Sequence, residues 1–146
     1  IKMCLDWLFN MQIPESTDSI VVIRPSAKTF VNGIASTYDE EYDARLKGRV
    51  SEFEFTDMIE KLNDQLSSMF PCNLCWVLGY VLCPFSLGLS LLIPYQCIKD
   101  AEESLLHRIN RNNRKLLLSR GVEMVLVKRR GTSWIELRIG EQTEEQ

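Results

Sequence analysis

Residues 71–97 read PCNLCWVLGYVLCPFSLGLSLLIPYQC, inside a longer run from Gln65 to Ile98 that contains no Asp, Glu, Lys, Arg or His. Whether this run is a membrane helix, a core element or something bent decides the fold. A spanning helix needs about 20 apolar residues at about 1.5 Å each, and Leu74 to Ile93 is long enough only if straight. Pro84 lies near its middle, where proline removes a backbone donor and clashes with the preceding turn, at about 3 kcal/mol. Gly79 and Gly88 weaken helix on either side. Pro71 to Cys83 and Phe85 to Ile93 are each too short to cross alone. The run therefore reads as a helix lying in an interface or as a re-entrant hairpin bent near Pro84. A straight span and a buried core segment are the alternatives.

Four of the five cysteines fall in this run. On a continuous helix, at about 100° per residue, Cys72, Cys75 and Cys83 share a face about 80° wide. Cysteines at the mouth of an apolar element, with basic residues not far away, are candidates for S-palmitoylation. One acyl chain attaches marginally, whereas two or more attach stably. Ordinary small buried hydrophobes are the other reading. Cys72-Asn-Leu-Cys75 is a lone CxxC. Zinc needs four ligands, and Cys83 and Cys97 complete the set only at wide spacing in apolar surroundings, so no metal or other cofactor is expected. A redox CxxC belongs after a strand in a βαβ unit, which is missing.

Working outward, the N-terminal flank has weak helical character at Met3 to Met11, a loop at Pro14 to Ser19, and a β-branched strand at Ile20 to Ile23 ended by Arg24-Pro25. Lys28 to Ile34 reads as a second strand closed by Asn32-Gly33. Ser51-x-x-Glu54 is a capping box, after which Phe55, Met58, Ile59, Leu62 and Leu66 recur at helical spacing. This predicts a helix over 52–67. Beyond the uncharged run, Ile98, Ala101, Leu105, Ile109 and Leu116 form a second helical stripe, with acidic residues early and basic residues late, as the helix dipole favours. Gly121 is placed to stop it. Alternation over 122–127 and 134–139 around the turn Lys128 to Thr132 predicts a hairpin.

The 146 residues suit one domain, and the formal net charge of −3 conceals an asymmetry. Residues 1–64 carry 7 basic and 12 acidic side chains, whereas residues 108–138 carry 9 basic ones against Glu123 and Glu136. A basic segment close after an apolar one suits an anionic cytoplasmic leaflet. Nucleic acid is not expected, because no zinc module, RNP-like motif or aromatic–basic interleaving accompanies the patch. No secretory signal pattern is visible, which favours reduced cysteines. No P-loop, GxGxxG, GxSxG or HExxH motif occurs, and nothing pairs His107 with a particular cysteine. The chain is not expected to be an enzyme.

Val21 to Asn63, VVIRPSAKTFVNGIASTYDEEYDARLKGRVSEFEFTDMIEKLN, resembles the opening half of the cysteine-rich hydrophobic domain proteins. These group with the golgin-A-member-seven proteins and the accessory subunit of the yeast Ras palmitoyltransferase. The resemblance rests on the V-x-[VI]-R start, a Phe-to-Gly turn, aromatics around Tyr38 and Tyr42, L-x-G-x-V at Leu46 to Val50, and F-x-x-x-I-x-x-[LV]-N at Phe55 to Asn63. The cysteine-bearing apolar segment, a polar helix and terminal strands then follow in order, to about residue 139. Cys72 and Cys75 look like the golgin-type acylated pair; the dense cysteine string of the cysteine-rich members is absent.

The resemblance implies an α+β fold, in which a small antiparallel sheet is built from both ends of the chain around a central membrane-inserted apolar helix or re-entrant hairpin. A single span is then excluded, since both flanks share one sheet. The implied organisation is an N-terminal segment (1–19), one domain (20–139) containing the membrane segment 71–97, and a polar tail (140–146). The implied function is a non-catalytic, S-palmitoylated peripheral adaptor on the cytoplasmic face of Golgi, vesicle or plasma membranes. It would hold a polytopic membrane partner such as a DHHC-type palmitoyltransferase. The alternative is a structural subunit of a vesicle-trafficking or lipid-transfer complex. Lipidation is assigned to Cys72, Cys75, Cys83 and Cys97. Membrane insertion is assigned to Trp76, Val77, Leu78, Tyr80, Val81, Leu82, Phe85, Leu87, Leu89, Leu91, Leu92 and Ile93. Headgroup or partner contact falls to Arg108, Arg111, Arg114 and Lys115.

Overall fold

The computed structural model describes residues 12–27, 29, 32–69, 73–89, 92–129 and 131–140. The expected helix at Met3 to Met11 and the tail after Gly140 lie outside them. Strand β1 (Ile20–Ile23) is followed by a 3-10 turn (Ala44–Leu46), helix α1 (Glu52–Met69), helix α2 (Asn73–Leu82), helix α3 (Leu92–Asn112), and the hairpin β2 (Val122–Arg129) and β3 (Thr132–Ile139). The sheet is antiparallel in the order β1-β3-β2. Ile20 stands opposite Arg138 and Ile23 opposite Ile135, while Val122 stands opposite Ile139 on the other side of β3. The fold is thus α+β, and its central strand binds together both ends of the domain.

The core lies between the sheet and the two long helices. From α1 come Phe55, Ile59, Leu62 and Leu66; from α3 come Ile98, Ala101, Leu105 and Ile109. The sheet supplies Val21, Ile23, Val122, Met124, Ile135 and Leu137. Each fully buried large side chain contributes about 1.5–3 kcal/mol relative to exposure. Helix α1 begins as its capping box dictates: Ser51 Oγ accepts from Glu54 N at 3.3 Å, and Glu54 Oε2 accepts from Ser51 N at 3.1 Å. It runs two residues past Ser67, to Met69.

Helix α3 departs from regular spacing at its end. Asn113–Leu117 form a π-helical turn, Leu118–Arg120 a 3-10 turn, and Gly121 stops the run in the left-handed conformation, φ 68°. The π turn inserts one residue, so the apolar stripe continues at Leu117, which is fully buried, and not at Leu116. The same shift turns Asn113 toward β2. Its Nδ2 donates to Met124 O and its Oδ1 accepts from Met124 N, both at 2.8 Å. A side-chain amide thereby does the work of a strand partner on the free edge of β2.

The expected strand at Lys28 to Ile34 is replaced, over its described residues, by an isolated Thr29–Ala35 bridge around Gly33, φ 88°. A Cβ on Gly33 would lie 2.7 Å from Gly131 C and 2.8 Å from Thr132 N. Glycine is required there both by the backbone conformation and by the close approach of the β2–β3 turn.

The expected central membrane-inserted helix or re-entrant hairpin is corrected. Among the described residues no helix is long and apolar enough to cross a membrane. Helix α2 has ten residues, about 15 Å at 1.5 Å each, or half the thickness of a hydrocarbon core. Residues Cys83 to Gly88 leave the helix as a turn in which Leu87 (φ 51°) and Gly88 (φ 87°) are left-handed. Helix α3 then meets Lys99, Asp100, Glu102 and Glu103 about two to three turns from its start, which ends its apolar character.

Candidate partner-docking surface

Over its described residues beyond Met69, the uncharged run forms α2, the turn after it and the first turns of α3, with α2 in contact with α3. Its side chains stay largely outside the core. Val77, Tyr80, Val81, Leu82, Phe85, Leu89, Leu92 and Tyr95 are exposed, and Leu87 is 97 % exposed. A soluble surface seldom gathers so many large apolar groups, because each leaves apolar area in water; such patches mark interaction sites. Leu87 is the clearest case. A left-handed, non-glycine backbone costs about 1–3 kcal/mol, and no burial within the domain offsets it.

The other residues singled out from the sequence fall as follows. Trp76, Leu78 and Cys75 lie on α2 and Ile93 on α3, with side chains outside the described set, and Cys72 and Leu91 are outside it altogether. Cys83 and Cys97 are half-buried free thiols. Because α2 stops at Leu82, Cys83 lies in the turn and not on a helical face continuous with Cys75. Among the described residues no group of His, Cys, Asp and Glu is placed to hold a metal ion.

The basic residues are separated from this segment. Arg111, Arg114 and Lys115 are exposed and Arg108 is half-buried, all at the far end of α3. From Tyr95 to Arg108 the helix rises about 20 Å, and from Leu92 to Arg111 about 28 Å. Closeness in sequence does not bring the basic and apolar groups onto one patch.

Two polar linkages hold the scaffold that bears the apolar segment, and sequence reasoning did not find them. Asn63, buried on α1, accepts from Tyr38 N at 2.8 Å and donates to Tyr38 O and Glu40 Oε1, each at 2.9 Å. The Tyr38 hydroxyl shares a 2.8 Å hydrogen bond with Ser133 Oγ on β3, and burial pushes its pKa up to about 12. Arg120 grips Glu54 with two hydrogen bonds, Nη1 to Oε2 at 2.6 Å and Nη2 to Oε1 at 2.9 Å, and Nη1 also donates to Arg49 O. Arg49 Nη1 in turn donates to the carbonyls of Arg120, Gly121 and Gly140 at 3.3, 3.2 and 2.9 Å. The start of α1, the end of α3 and the end of β3 are thereby tied together. The only available signals were an Asn at the end of the α1 motif and an Arg just before a helix-stopping Gly.

The model of the Golgin subfamily A member 7/ERF4 family matches residues 19–136. The chain belongs to that family. The match takes in the whole sheet apart from the last residues of β3, all three helices and the apolar segment. The Golgin subfamily A member 7/ERF4 family is one of accessory subunits that bind a partner protein. Its name also associates the family with the Golgi.

Proposed function

We propose that this protein is a non-catalytic adaptor on the cytoplasmic face of Golgi, vesicle or plasma membranes. It holds a polytopic membrane partner, a DHHC-type palmitoyltransferase, through the apolar segment formed by α2 and the turn after it. The observation that carries the reading is the set of exposed large apolar side chains between Val77 and Tyr95 on a folded, charge-free segment. Burying such side chains is the main favourable contribution to association, and an accessory subunit needs such a face. Acyl chains on Cys72, Cys75, Cys83 and Cys97 would keep the adaptor beside its partner, two or more being needed for stable attachment.

Purification of the native complex, followed by identification of its stoichiometric partners, tests the reading. A DHHC enzyme among them supports it. A trafficking or lipid-transfer assembly without one replaces it with the structural-subunit alternative. Hydroxylamine-sensitive acyl exchange tests lipidation separately; wild-type protein in which no cysteine is labelled removes that part of the proposal.

A further inference from the structure

The far end of α3 holds a second feature that the docking surface does not use. Ser104, His107, Arg108 and Arg111, at i, i+3, i+4 and i+7, share one helical face and line a cavity of about 410 Å³ closed from the α1 side by Gln65. Arg108 Nε donates to Gln65 Oε1 at 2.5 Å, which fixes the guanidinium across the gap between the helices. The lining contains two guanidinium groups, an imidazole, a hydroxyl and an amide, and no carboxylate.

Among the described residues the guanidiniums of this notch have no carboxylate partner, a state they share with Arg24, Lys47, Arg49 and Arg129; what sets them apart is that they line one cavity together. Arg45, Lys61, Lys99, Arg120, Lys128 and Arg138 each have a carboxylate within 4.0 Å. Among the described residues Arg108 and Arg111 have none, and neither have the adjacent Arg114 and Lys115. The larger cavity, about 860 Å³ beside Arg49 and Arg120, is different, because the carboxylates of Glu52 and Glu54 stand among its cations. An uncompensated pair of arginines in a concave site, one braced by a neutral amide, has the chemistry of an anion receptor. Planar guanidinium forks match phosphate oxygens in paired hydrogen bonds, and the Ser and His side chains supply further donors.

We propose that the notch formed by Gln65, Ser104, His107, Arg108 and Arg111 binds a phosphate monoester. The cavity exceeds a phosphate group alone, so the carrier is either a small soluble phosphate or the monophosphorylated headgroup of an inositol lipid. The proposal needs neither the DHHC partner nor the apolar segment, so it stands or falls separately from the adaptor reading.

The test uses the full chain and two probes. Inorganic phosphate is titrated at constant ionic strength with the His107 ring resonances as readout. Phosphatidylcholine vesicles containing phosphatidylinositol 4-phosphate are compared with phosphatidylcholine vesicles of equal charge made with phosphatidylserine. Saturable binding of either probe, weakened about tenfold or more by Arg111→Gln and unchanged by Arg129→Gln, supports the site. Arg111 is exposed, so its replacement leaves the core intact, and Arg129 is an exposed cation on the hairpin. Response to phosphate without selective vesicle binding identifies a soluble ligand; selective, Arg111-dependent vesicle binding identifies the lipid. No saturable response to either probe overturns the proposal. So does binding that follows total vesicle charge, or equal effects of Arg111→Gln and Arg129→Gln.

Discussion

Replacing Asn63 with Ala should destabilise the protein out of proportion to the atoms removed. The side chain is 6 % exposed and satisfies both backbone groups of Tyr38. Truncation leaves a buried N–H and a buried C=O without their partner. Each orphaned group costs about 1–3 kcal/mol, giving about 2–6 kcal/mol together. At about 2–4 °C per kcal/mol for a domain of this size, the midpoint of thermal unfolding should fall by roughly 4–24 °C. Urea unfolding of the full chain, followed by circular dichroism, should show a lower midpoint at an unchanged slope.

Asn63→Asp refines the test. An aspartate still accepts from Tyr38 N, but it cannot donate to Tyr38 O when ionised and it faces the Glu40 carboxylate. The variant should be weak at neutral pH and recover relative to wild type on acidification, as protonation restores a donor and removes the repulsion. A loss under about 1 kcal/mol for Asn63→Ala, or an Asn63→Asp deficit that ignores pH, would refute the claim that this amide supports the Tyr38 backbone.

Other consequences can be checked with the same unfolding assay. Gly33→Ala should cost more than Gly48→Ala: both glycines have φ near 90°, but an added Cβ meets backbone at 2.7 Å at Gly33 and nothing within 4 Å at Gly48, so only Gly33 adds a steric clash to the left-handed strain. The hydrogen bonds from Arg120, and then those from Ser51, hold the Glu54 pKa down to about 2; its contribution is therefore full above about pH 4.5 and lost as pH falls from there toward 2, and Arg120→Gln should flatten that part of the acid limb. Leu87→Asn should leave stability within about 0.5 kcal/mol or raise it, since asparagine tolerates the left-handed backbone, while reducing recovery of the partner in pull-downs. Undiminished recovery would remove Leu87 from the docking surface.

Much of the fold was legible because it is written in local patterns. The Ser51/Glu54 box and the apolar spacing from Phe55 to Leu66 locate α1, and the alternation around Lys128 to Thr132 locates the hairpin. Proline and glycine at 84 and 88 mark the break in the uncharged run. What stayed hidden depends on residues distant in sequence. Asn63 reads as an ordinary polar helix position until Tyr38 packs beside it, and Arg120 reads as one more surface cation until Glu54 arrives. The step from Leu116 to Leu117 was illegible because a π turn has no apolar signature; Asn113 and β2 justify it only in three dimensions. The apolar run itself was legible, but the membrane-inserted helix or hairpin expected of it is not what the fold contains. Hydropathy reports transfer preference, and does not say whether the segment enters a membrane or stands exposed on a folded domain.

The sequence by itself determined the helix that follows Ser51, the helical stripe from Ile98, where the hairpin turns, and that a charge-free, proline-broken run separates the two helices. These depend on periodicity, capping and backbone restriction, which act within a few residues. Only the tertiary structure decided that β1 joins β3, that the apolar run forms a short helix and turn with exposed side chains, and that Arg108 and Arg111 lie about 20 Å or more along α3 from Tyr95, around a notch of their own. Those outcomes depend on which distant surfaces bury one another and which charges find partners, and neither is set until the chain has folded.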